Sequence, residues 1–78
     1  MYKIGDTFNA DGNTWTITEI DIEGVSLEWD KYLINICPLD NDVFVYRKFK
    51  NGNTRDIWWI FSFDEIKMVN QIVEGMYV

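Results

Sequence analysis

The chain has 78 residues, with four Trp, four Tyr and five Phe but one Cys and no His. That is one small domain, residues 1–78, whose core must come from aromatic packing rather than from disulfides or a metal. The net charge of −6 disfavours direct binding to nucleic acid, an affinity that rests on neutralising phosphates. Without His the commonest general base, the usual nucleophile pairs and the commonest nitrogen ligand are gone, so the chain reads as a non-enzyme with no cofactor and no metal site.

The charge is uneven. Nine of the thirteen acids precede residue 43 and face only Lys3 and Lys31, whereas the rest of the chain has five bases against four acids. The start has no long apolar run after Lys3, which argues against a secretory signal. The longest apolar run, residues 57–61, falls far short of the roughly 20 residues a membrane helix needs. The lone Cys37, beside Pro38, reads as a small buried hydrophobe in a reducing cytoplasm.

Taken in order, the first element is a hairpin. Residues 6–9 lead through Asp11-Gly12, a strong two-residue turn signal, into a strand from Thr14 to Ile20. Trp15 and Ile17 point one way, and Thr14, Thr16 and Thr18 the other. A turn at residues 21–24 leads to a third strand, in which Val25, Leu27 and Trp29 alternate with Ser26, Glu28 and Asp30. Residues 32–37 are rich in β-formers, Pro38 ends that run, and residues 40–42 form a loop.

Residues 43–62 read as a second hairpin, with Asn51-Gly52 at a two-residue tip and Lys50 opposite Asn53. In that register Arg47 faces Asp56 as an ion pair. One face then carries Val43, Val45, Phe49, Trp58 and Ile60, and the other Phe44, Tyr46, Ile57, Trp59 and Phe61. Beyond it, Ser62-Phe63-Asp64-Glu65 is a capping box, with Phe61 and Ile66 placed as a staple. Ile66, Val69, Ile72 and Val73 form the helix's apolar stripe, Gly75 ends it, and residues 76–78 suit a short terminal strand. The expected architecture is mainly β (α+β): about five strands in a strongly bent antiparallel sheet or SH3-like barrel, with one C-terminal helix. A two-layer α+β sandwich is the alternative.

Two features point to a partner. The face carrying Phe44, Tyr46 and Trp59, with Arg55 near the tip, is either closed over by the early strands or left as an aromatic binding patch. The acids Glu19, Asp21, Glu23, Glu28 and Asp30 lie along and around one hairpin, where strand spacings of roughly 5–7 Å approximate those of backbone phosphates. Such a grid suits a basic nucleic-acid-binding surface on a host protein. Ile, Asn, Phe, Tyr, Lys and Met, all with AT-rich codons, are abundant, while Ala and Pro occur once each and Arg twice.

In style this looks like the small acidic accessory proteins with which phages block or redirect host machinery; no family signature carries the likeness. It implies a cytoplasmic, phage-type inhibitor or modulator of a host nucleic-acid-handling protein. The alternatives are a small-barrel binder of single strands, with Phe44, Tyr46 and Trp59 as stacking platforms and Lys48, Lys50 and Arg55 near phosphates, or a self-associating subunit that buries its second hairpin face in a homodimer.

Overall fold

The computed structural model describes residues 2–76. Its strands are β1 (Thr7–Ala10), β2 (Asn13–Ile20), β3 (Val25–Trp29), β4 (Tyr32–Cys37), β5 (Asp42–Lys48) and β6 (Thr54–Asp56), followed by helix α1 (Phe63–Met76). All six strands pair with their sequence neighbours, antiparallel throughout, in the order β1-β2-β3-β4-β5-β6. The mainly β fold with one C-terminal helix is as expected, but there are six strands rather than about five. The sheet stays open: β1 and β6 are its two edges and do not pair, so no SH3-like barrel closes.

Local chemistry explains the meander. The β1–β2 turn is Asp11-Gly12, with both residues at positive φ (55° and 79°) and Ala10 opposite Asn13, the two-residue geometry that follows the twist of the strands. The β2–β3 turn is held by Asp21, whose Oδ1 accepts from the Glu23 and Gly24 amides at 2.8 and 3.0 Å. Gly24 is required there: a Cβ would run into the carbonyl of Ile36 on β4. Asp30-Lys31 makes the next tight turn without glycine, Asp30 taking φ 53° itself. Pro38 does end its strand, opening a single 3-10 turn, Pro38–Asp40, capped by left-handed Asn41.

Strand alternation then sorts the side chains. Trp15, Ile17, Val25, Leu27, Ile34, Ile36 and Val45 all point to one face and are buried, where Met68 and Ile72 of α1 join them. A bulge at Thr18 shifts the β2–β3 register between Ile17 and Glu19, which leaves Glu19 opposite Ser26 on the other face.

The helix begins as the sequence indicates. Ser62 Oγ accepts from the Glu65 amide and Glu65 Oε1 accepts from the Ser62 amide, both at 3.0 Å. Its fully buried side is Glu65, Met68 and Ile72; Ile72 belongs to the expected stripe and Val69 and Val73 pack partly against the core, so the stripe is rotated only enough to leave Ile66 about half exposed. The rotation follows from Glu65, whose carboxylate is drawn inward to the Ser62 amide and to the Trp59 indole N–H, at 3.3 Å. Gly75 lies within the helix rather than after it, and the Tyr2 ring occupies the space its Cβ would take. Met76 is helical, and the rest of the expected terminal strand, Tyr77 and Val78, lies outside the described residues.

Candidate binding face of the sheet

The second hairpin differs from its expected register by one residue. Tyr46 pairs with Asp56, Arg47 with Arg55, and Lys48 with Thr54. The tip is a three-residue loop, Lys50-Asn51-Gly52, in which the Gly52 amide donates to the Phe49 carbonyl (3.0 Å) and Gly52 alone has positive φ (87°). The reason lies in Asn51. Its side-chain carbonyl accepts from the Asn53 amide at 3.0 Å, an Asx turn that keeps Asn51 out of the left-handed region a two-residue tip requires. A slip of one residue moves every side chain of the second strand to the opposite face.

The consequences are specific. The expected Arg47–Asp56 pair does not form; Arg47 instead stands over the Phe49 ring at 5.3 Å. After Asp56 the chain leaves the ladder but stays alternating. Ile57, Trp59 and Phe61 turn inward against the core, while Trp58 and Ile60 are 85% and 75% exposed. Trp59 is thus partly buried against the core rather than free on the surface. It packs on Tyr32 at 4.9 Å between centroids, at the end of a run of rings through Trp29 to Trp15. Trp58 takes the solvent-facing place.

The outer face of the sheet, opposite the helix, therefore carries Leu33 on β4, Phe44 and Tyr46 on β5, and Asp56 on β6. Phe44 is 45% exposed and its ring lies 6.5 Å from that of Tyr46. Arg55, expected beside them, projects to the other side, opposite Arg47. Of the predicted anchors, Phe44 and Tyr46 stay together, and Trp59 and Arg55 leave them.

The acidic grid is likewise only partly formed. Glu19 and Glu28 lie on the outer face, but Glu28 is bound to Lys48, the one ion pair among the described residues. Asp21 is engaged in its turn, Asp30 sits in the β3–β4 turn at the far end of the strand, and Glu23 is exposed beside Asp21. The acids gather elsewhere, around Cys37. Burial raises its thiol pKa above the ordinary value, and the charges of Asp40, Glu23, Asp42 and Asp21 add to that. This suppresses the thiolate and with it nucleophilic reactivity. No metal-holding cluster of His, Cys, Asp or Glu exists among the described residues, and no described helix is long and apolar enough to cross a membrane.

Trp58, Asp56 and Leu33 are the surface residues that sequence reasoning missed as site members. The signal that could have found Trp58 and Asp56 is the Asn51 side chain, which favours the longer loop and hence the other register. Comparison with protein-family models, curated proteins and solved structures finds no match for this chain.

Proposed function

We propose that the chain is a small acidic protein-binding module that docks through the outer face of β4–β6, with Phe44, Tyr46 and Trp58 as its anchors. The carrying observation is that apolar surface. Phe44, on the face of the sheet opposite the helix, and Trp58, two residues beyond the end of β6, are large aromatic side chains exposed to solvent. Each ring can bury roughly 150–250 Å², a substantial share of the roughly 800 Å² per partner in a stable interface. Aromatic anchors ringed by charge are the usual anatomy of binding hot spots.

Glu19, Asp42 and Asp56 project from the same face, and the net charge is −6, so the reading favours a partner with a basic surface. A cytoplasmic nucleic-acid-handling protein of a bacterial host, inhibited or redirected by a phage-type accessory protein, fits that chemistry. Direct binding of single strands is less supported: Trp59 packs partly buried against the core and Lys48 is engaged with Glu28.

The test compares wild type, Trp58→Ser and Phe44→Ser as baits in a nuclease-treated bacterial lysate at low and high salt, with circular dichroism to check the fold. The expected result is one dominant protein, held by wild type and lost by both variants, whose release is promoted by salt. Identical capture by all three baits, or capture of nothing, contradicts the reading.

A further inference from the structure

Backbone parity carries the reading one step further. In an antiparallel ladder, alternate residue pairs exchange both hydrogen bonds and the pairs between them turn their backbone groups outward. The Phe49 amide donates to the Asn53 carbonyl at 2.9 Å and the Ile57 amide to the Val45 carbonyl at 3.1 Å. These bonds set the parity: Arg47 and Arg55 form the bonded pair between them. The amides and carbonyls of Thr54 and Asp56 therefore point away from β5. β6 is last in the strand order, so no other strand among the described residues meets them.

The two open edges are not equivalent. At β1 the neighbouring residues are drawn inward: Tyr2 packs edge-on against Phe8 at 5.2 Å, and the Asp11 amide reaches Asp64 of the helix at 3.3 Å. The outward residues there, Thr7 and Asn9, are polar. At β6 the edge runs on into Trp58 and Ile60, both largely exposed. An open backbone edge flanked by exposed apolar side chains is the arrangement that accepts an added strand.

We infer that β6 is completed by an extended segment of another protein, added antiparallel, with a Lys or Arg opposite Asp56, an Asp or Glu opposite Arg55 and an apolar residue opposite Trp58. This rests on the protein-binding reading and names the partner's form. Charge complementarity selects the occupant. Two-fold pairing of a second copy joins residues of the same parity, so Arg55 never meets Asp56: centred on Arg55 or on Asp56 it sets like charges opposite, and centred on Thr54 or on Ile57 it leaves both charges without an opposite partner. Like charges directly opposite destabilise a strand pair. A foreign strand escapes this, and its required order, read from its own N-terminus, is apolar, any residue, basic, acidic.

The probe is an acetylated, amidated decapeptide with Val-Thr-Lys-Glu at its centre and threonine-valine flanks, added to the full chain. Expected are a saturable shift of tryptophan emission that Trp58→Phe abolishes, and slowed exchange at the Thr54 and Asp56 amides. N-methylation of the peptide's lysine amide removes its bond to the Asp56 carbonyl and should weaken binding about tenfold, the effect of roughly one lost backbone bond. Asp56→Lys should weaken binding by up to about fivefold, and a peptide with glutamate in place of that lysine should restore it. No binding at about 1 mM peptide overturns strand addition. So does equal affinity of the N-methylated peptide. If the peptide fails while the lysate partner is still captured in a Trp58-dependent way, strand addition is wrong and the face reading stands; loss of both removes both.

Discussion

The two glycine-tipped hairpins carry nearly the same signal and fold differently. Asp11-Gly12 makes a two-residue turn with both residues left-handed, and Asn51-Gly52 makes the end of a three-residue loop with only the glycine left-handed. The first hairpin lies under the helix, and Trp15 and Ile17, at 0% exposure, reward a single register with burial. In the second, apolar residues occur on both faces, so either register buries some rings and exposes others. Its register is decided by the tip, where the Asn51 side chain bonds the Asn53 amide. Local turn chemistry outweighs dipeptide statistics when burial does not discriminate.

The sharpest contrast is between tryptophans. Trp15→Ala should cost about 3–5 kcal/mol, the range for emptying a buried aromatic site, whereas Trp58→Ala should fall within about 0.5 kcal/mol of wild type. Urea unfolding followed by circular dichroism measures both, and comparable losses would erase the proposed difference between the halves.

Next in size is a change of loop. Asn51→Gly removes the side chain that bonds the Asn53 amide and leaves Gly-Gly, a pair that takes the two-residue tip with Lys50 opposite Asn53. It should force Trp58 and Ile60 toward the core and Trp59 away from Glu65, at a cost of about 2 kcal/mol from mispacking. The same change leaves stability untouched if the tip does not set the register. Smaller again is the cap. Ser62→Ala should cost about 1 kcal/mol, and it should loosen the Glu65 carboxylate that holds the Trp59 indole. A red shift of tryptophan emission in Ser62→Ala would report that coupling.

Much of the fold is legible in the sequence where one rule acts alone. Alternation locates β2 and β3, Asp11-Gly12 sets their entry, Pro38 ends β4, and Ser62 with Glu65 starts the helix. Legibility fails where rules compete. The helix stripe looked like Ile66, Val69, Ile72 and Val73, but Glu65 draws its own side inward because two donors need it. The β3–β4 turn was hidden because Asp30 does the work of a glycine. The acids looked like a grid in one dimension; folding spends Asp21 on a turn and Glu28 on Lys48, residues 20 positions apart. Barrel closure was open in the sequence, since nothing local says whether β1 and β6 meet.

The account stands on the register that sends Trp58 outward and Trp59 inward. Iodide quenching of tryptophan fluorescence in Trp58→Phe and Trp59→Phe tests it directly, because iodide reaches only exposed rings. The register described here predicts that Trp58→Phe removes most of the quenchable emission and that Trp59→Phe leaves it in place. Loss of the quenchable component in Trp59→Phe, with Trp58→Phe unaffected, would restore the two-residue tip and contradict the binding face built on Trp58.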